Sequence, residues 1–162
     1  TTQLVMGDAL AICLLELRGF GHKDFARFHP GGSLGKALYL KVEHIIGNRL
    51  APSVEADADV KEVIVEIGEK MVGATAVMEQ GKICGVVTDG DLRRMLSATS
   101  DLSTLKARDV MTVNPKQIDS DSLASEALKT MHQNSISQLL VTTNGVYSGI
   151  IHLHDLLNEG LY

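Results

Sequence analysis

The chain is predicted to fold as an α/β (α+β) protein built from two like sheet-and-helix units related by a pseudo-twofold axis. Two observations carry this. The stretch from Val54 to Leu92 recurs from Ile118 to Leu156 at a constant offset of 64 positions with no gap. Val54 falls on Ile118, Asp57 on Asp121, Glu62 on Glu126, Val77 on Val141, Gly81 on Gly145, Gly85 on Gly149 and Asp91-Leu92 on Asp155-Leu156. Both copies also run in one order: turn, amphipathic helix, apolar strand, glycine turn, apolar strand, then Asp-Leu opening a short helix. A unit this small buries little core alone, so two copies should pack together. That packing leaves two related clefts, and the repeat is expected to bind something in them.

Taken in order, the chain opens with Thr1 or Thr2 placed to cap a helix from about Gln3 to Arg18, with Gly19 as its stop. This helix is apolar nearly all round, through Leu4, Val5, Met6, Leu10, Ile12, Leu14, Leu15 and Leu17. A helix without a polar face is buried on several sides, so cover is expected from upstream chain, from the repeat or from another subunit. The chain begins without methionine, and residues 1–41 read as the end of a truncated domain packed in an oligomer. After the helix the chain runs through a glycine-containing segment from Gly19 toward Lys36. Pro30 fixes its own φ and pushes His29 toward an extended conformation. Gly31 and Gly32 permit close backbone approach, and Ser33 is placed to cap a short helix from Leu34 to about Leu40. Such a loop suits a sugar or phosphate, although a histidine before Pro-Gly-Gly is also an ordinary turn residue.

In the first copy, Val60, Val63, Ile64, Ile67 and Met71 follow helical spacing over Val60 to Val72. Thr75–Met78 and Ile83–Val87 form a hairpin around Gln80-Gly81, and Thr88-Asp89-Gly90-Asp91 starts a helix through Leu92, Met95 and Leu96. The second copy has a helix carrying Leu123, Ala127, Leu128 and Met131, strands Ser137–Thr143 and Val146–His152 about Asn144-Gly145, and then Asp155-Leu156-Leu157. Asn-Gly between apolar runs is a strong hairpin signal. Ile45-Ile46-Gly47 and Asp109-Val110-Met111 enter the copies at their front edges, and Gly47 in place of a side chain should make the two clefts differ in size. The units span residues 42–98 and 106–162.

Composition excludes several classes. The chain has 44% hydrophobic and 22% charged residues and a net charge of −5, typical of a soluble globular protein. No basic stripe and only 4% aromatic residues argue against nucleic acid. The longest apolar run, Ala9 to Leu15, is too short to cross a bilayer, and no secretory signal is visible. Cys13 and Cys84 read as two buried free thiols of a cytoplasmic protein. His152 and His154 share one face of a strand beside Asp155, which leaves open either a metal pair or a structural placement.

"LVMGDALA" (Leu4–Ala11), "RGF", "DFARFHPGGSLGK" (Asp24–Lys36) and "VVTDGDLRR" (Val86–Arg94) resemble the D-arabinose 5-phosphate isomerases, which join a sugar isomerase (SIS) domain to a C-terminal pair of CBS domains. The resemblance covers the whole chain, with most of the SIS domain missing. It implies a tandem CBS pair preceded by the last helix and loop of an SIS α/β domain. It implies interconversion of D-ribulose 5-phosphate and D-arabinose 5-phosphate through an enediol in the intact protein, with no metal and no organic cofactor. His29 takes the place of the family's functional histidine, as an acid/base residue with a suitable ordinary pKa. Phe28 stands where the family commonly has serine. The 162 residues alone are expected to be inactive. CBS pairs bind nucleotides in their clefts, and the family's Gly-x-x-Thr-x-x-Asp pattern matches Gly85 to Asp91, so Thr88 and Asp91 are candidates for phosphate and ribose. In the second copy the pattern runs from Gly149 to Asp155 with His152 in place of threonine. Arg94 is a candidate for a phosphate and Met111 for a cleft wall. Helix capping competes as a role for Asp91 and Asp155. The resemblance further implies a homo-oligomer, dimer or tetramer, and a nucleotide or CMP-sugar such as CMP-Kdo as cleft ligand.

Overall fold

A computed structural model of the chain describes residues 1–28, 31–47, 51–99 and 101–162. It contains the expected duplicated architecture, with two separate sheets. The first copy has a short strand β1 (Ser53–Glu55), helix α5 (Val60–Lys70), hairpin strands β2 (Ala74–Glu79) and β3 (Lys82–Thr88), and helix α6 (Asp89–Ala98). The second has β5 (Gln117–Asp119), α8 (Ala124–Asn134), β6 (Gln138–Thr143), β7 (Val146–His152) and α9 (Leu153–Asn158). Ahead of them lie α1 (Thr2–Leu17), α2 (His22–Phe28), α3 (Ser33–Tyr39) and α4 (Val42–Ile46), and between the copies lie α7 (Ala107–Val110) and β4 (Thr112–Val113). The sheet orders are β1-β2-β3-β4 and β5-β6-β7, with β1 and β5 parallel to their neighbours and the hairpins antiparallel.

The amphipathic helices form where the spacing places them. α5 buries Val60, Val63 and Ile67, and α8 buries Ala124, Ala127, Leu128 and Met131. Both hairpins turn through two residues of positive φ, Gln80 and Gly81 in one, Asn144 and Gly145 in the other, as a type I′ turn requires. Each hairpin carries a bulge at the same place, after Val77 and after Val141. The extra residues are Cys84 and Ser148. The Cys84 thiol donates to the Val77 carbonyl at 3.3 Å and the Ser148 hydroxyl to the Val141 carbonyl at 3.2 Å, so two different side chains serve one bulge carbonyl. The sheets face each other through small and branched residues, Ala74 and Ala76 against Leu140 and Ile150.

The front segments do not complete their own copies. α4 inserts Val42 and Ile46 into the core of the second copy, beside Leu128, Met131, Ile151 and Leu156, whereas α7 inserts Ala107 into the core of the first, beside Val63, Val87 and Met95. The backbone donors at the start of each short helix are met by a turn of the other copy. Val42 and Glu43 donate to the Ser122 and Ser120 carbonyls at 3.0 and 2.9 Å, and Ala107 and Arg108 to those of Ala58 and Ala56 at 2.9 and 3.0 Å. Lys106–Asp59 at 2.7 Å and Lys41–Asp121 repeat the relation in side chains. The linker follows α4: Ala37 and Leu40 pack on the second copy's core, the Ser125 hydroxyl donates to the Ala37 carbonyl at 2.8 Å, and Lys36 pairs with Glu159 at 2.8 Å.

Several expectations are corrected. The front segments enter the opposite copies, and their register is one position away from the offset of the repeat: the Lys41 amide meets His44 at 3.3 Å as the Lys106 amide meets Asp109 at 2.8 Å. Ile46, not Gly47, is therefore the residue equivalent to Met111. A Cβ on Gly149 would meet Ile46, just as one on Gly85 would meet Met111. α1 has no buried residue, so the repeat does not cover its apolar surface. It ends with Gly19 at positive φ, its amide on the Glu16 carbonyl and that of Phe20 on Leu15, a Schellman motif. Cys13 is exposed and Cys84 half-buried. The segment after Gly19 contains α2, and Gly32 rather than Ser33 precedes α3 as its cap. Among the described residues no helix is long and apolar enough to cross a membrane. His29 and Pro30 lie outside the described residues.

Candidate functional site

The site lies between the copies. The first copy contributes Val86 from β3 and Thr88, Asp91 and Arg94 around the start of α6. The second contributes Lys116 before β5 and the turn from α8 into β6, with Ser135, Ile136, Ser137, Gln138 and Leu140. Thr112 and Asn114 close the side. The cleft encloses about 490 Å³, the size of a small-molecule site. Val86, Ile136 and Leu140 make an apolar floor, and hydroxyls and amides form the wall. Its charged groups are Asp91, Arg94 and Lys116, one negative and two positive, which favours an anion.

α6 begins in a capping box. The Thr88 hydroxyl accepts from the Asp91 amide at 3.3 Å, and the Asp91 carboxylate accepts from the Thr88 amide at 2.8 Å. Asp91 is thus the third helical residue and not the cap itself. It is only 7% exposed, and a buried carboxylate must be fully bonded. Its Oδ2 also accepts from the Thr88 hydroxyl at 2.6 Å, while Oδ1 accepts from the Thr112 hydroxyl at 3.3 Å and pairs with the Arg94 guanidinium.

The corresponding place in the second copy has different chemistry. His152 precedes α9, its amide donates to Asp155 Oδ2 at 2.9 Å, and its Nδ1 accepts from the His154 amide at 3.1 Å. An accepting Nδ1 puts the neutral ring's proton on Nε2. Burial, then the neighbouring His154, hold the His152 imidazole below its usual pKa, against the opposing pull of Asp155. The two rings meet edge-on with centroids 4.9 Å apart.

Of the residues singled out in the sequence, Thr88, Asp91 and Arg94 come together in one cleft. His152 and Asp155 sit at the equivalent helix start of the other copy. Met111 packs among the first copy's core, its sulfur 3.9 Å from that of Cys84 and its side chain over Gly85, and it does not line this cleft. Lys116, Thr112, Ser135, Ser137 and Gln138 had no sequence signal. Thr112 comes from β4, alongside β3, and the others from the loops and strand start of the second copy, where only the packing of the copies decides what faces the cleft.

The CBS domain family profile matches residues 42–98 and 107–162. The arabinose 5-phosphate isomerase KdsD of Francisella tularensis is 46% identical over 160 residues, covering 97% of this chain and 49% of the relative. That of Pseudomonas aeruginosa is 44% identical over 165 residues, covering 99% of this chain and 50% of the relative. The chain therefore spans about half the length of these curated relatives. Among solved structures, a CBS-domain containing protein from Agrobacterium tumefaciens superposes with a TM-score of 0.68 at 20% identity, covering 75% of this chain and 93% of the other. A CBS domain protein from Pyrobaculum aerophilum complexed with AMP gives 0.66 at 20% identity, covering 72% and 89%. At that identity the structural likeness speaks for the fold.

Proposed function

The chain belongs to the CBS-domain family, and from its identity to the arabinose 5-phosphate isomerases we propose that it is the ligand-sensing half of an aldose–ketose isomerase that interconverts D-ribulose 5-phosphate and D-arabinose 5-phosphate for Kdo synthesis. The observation that carries the sensing role is the cleft between the copies. It joins an apolar floor, a polar wall and two cations around a buried carboxylate. That combination suits a nucleotide or CMP-sugar, with a base on the floor, hydroxyls near Asp91 and Thr88 and an anion near Arg94 and Lys116. CMP-Kdo, the activated end product, is the proposed feedback signal. The His152–Asp155 start of α9 forms part of the second, chemically different cleft.

In the intact protein His29 is the acid/base residue, and the isomerase is a cytoplasmic homo-oligomer. A ligand changes its rate only by favouring one arrangement of the CBS pair relative to the catalytic half. The linker through α3 and α4, bonded to the second copy, is the physical connection. Calorimetry of this chain with CMP-Kdo, CMP, AMP and ATP tests the sensing role, and the rate of the intact isomerase with and without the binders tests its consequence. At least one should bind and change the rate. Binding by none of them favours the second reading, an assembly module without ligand, for which the internal saturation of Asp91 speaks.

A further inference from the structure

A carboxylate offers about four lone-pair directions, and at Asp91 all four are taken from within the chain. The Thr88 amide and hydroxyl occupy Oδ2, and the Thr112 hydroxyl and Arg94 guanidinium occupy Oδ1. No acceptor remains for a ligand hydroxyl unless one of these donors leaves. They differ in how they are held. The Thr88 donors belong to the capping box that starts α6, and Thr112 is fixed in β4 against β3. Arg94 has a side chain 74% exposed and is folded back along the first turn of α6, its Nη1 lying 3.7 Å from where a Cβ on Gly90 would sit. Of the four donors this exposed guanidinium is the one free to swing to another anion, but withdrawing it without replacement costs the buried carboxylate a charge-assisted bond.

We infer that Arg94 is a selectivity latch: in the empty cleft it occupies the hydroxyl-accepting oxygen of Asp91, and a ligand gains that oxygen only by offering Arg94 an anion in exchange. This rests on the nucleotide reading of the cleft and adds a rule to it. A neutral nucleoside must break the Arg94–Asp91 pair and leaves the guanidinium without a replacement, whereas a nucleotide supplies a phosphate as it takes the carboxylate. The favoured ligand class is a molecule with vicinal hydroxyls and an anionic group within one side-chain reach of each other. Neutral nucleosides are rejected although their base and sugar fit equally well. Lys116, on the facing wall, adds attraction for the anion without competing for Asp91, since its amine is not among that carboxylate's donors.

The test is calorimetry of the whole chain with two pairs of probes, AMP with adenosine and CMP with cytidine, on the wild type and on Arg94→Gln. Because Arg94 is largely exposed, the variant should keep its fold, and an unchanged circular-dichroism spectrum with one cooperative thermal transition checks this. In the wild type the nucleotide should bind about tenfold or more tighter than its nucleoside, the scale of one hydrogen bond to a charged group. In Arg94→Gln the two affinities should move in opposite directions, with the nucleoside tighter and the nucleotide weaker. Arg94→Lys, which keeps the charge without the planar fork, should keep a preference for the nucleotide while easing nucleoside entry. A nucleoside affinity unchanged or lowered in Arg94→Gln, with nucleotide binding intact in the wild type, overturns the latch and leaves the nucleotide reading standing. Binding of none of the four probes by the wild type overturns both.

Discussion

Val42 belongs by sequence to the first copy and by packing to the second, so Val42→Ala separates the two memberships. Val42 is wholly buried on α4 among residues of α8, β7 and α9. The substitution removes two methyl groups, about 1.6 kcal/mol of transfer free energy, and leaves a cavity in a close-packed core that raises the loss to about 2–3 kcal/mol. For a chain of this size each kcal/mol shifts the midpoint by roughly 2–4 °C, so a fall of roughly 5–10 °C is expected in thermal unfolding. Hydrogen exchange followed by mass spectrometry locates the loss. Peptides covering 124–134 and 138–152 should exchange faster, ahead of those covering 60–70 and 74–88. Earlier or greater loss of protection in 60–70 and 74–88 would refute the crossed packing of the front segments, as would an unchanged midpoint.

Thr75 is completely buried on β2, and its hydroxyl has no hydrogen-bond partner among the described residues; Thr75→Val, nearly the same shape, should raise stability by about 1 kcal/mol in urea unfolding. At the bulge, Cys84→Ser should leave the urea midpoint nearly unchanged, because Ser148 already serves the matching carbonyl, whereas Cys84→Ala should cost about 1 kcal/mol. His152 is held below the ordinary histidine pKa of about 6.5, so the unfolded chain takes up this proton first as the pH falls. Its contribution to stability is therefore full above about pH 6.5 and declines below it, until the folded protein also protonates. Protonation at Nδ1 also removes the acceptor that meets the His154 amide. His152→Thr, the first copy's own residue at this place, should flatten the midpoint-against-pH profile between pH 7 and 5, and an unchanged slope would contradict the assignment.

The repeat, the two amphipathic helices, both hairpins and the short helices carrying Asp91 and Asp155 were legible in the sequence, because each rests on local chemistry. Apolar residues at helical spacing and an Asn-Gly or Gln-Gly turn act within a few residues of themselves. The three-residue strands β1 and β5 were not legible, being too short to show a period and existing only because β2 and β6 lie alongside. The two roles of Asp91, cap partner and candidate ligand acceptor, could not be separated by reading either. Which donors reach a carboxylate depends on Thr112, twenty-one residues away in the chain, and on how Arg94 folds back.

By itself the amino-acid sequence determined that two equivalent units exist and what each is made of locally. Only the tertiary structure decided that each unit's front helix completes the other's core, that Ile46 is the counterpart of Met111, and that Lys116 and Gln138 form the far wall of the Thr88 cleft. The division has one physical cause. Hydrogen-bonded turns and helical faces are set by neighbours along the chain, whereas a crossed front segment and a shared cleft arise from burying apolar surface between residues far apart in the chain, such as Val42 and Leu128. Burial has no direction along the chain, so a sequence states how much there is to bury and leaves the choice of partner to the packing.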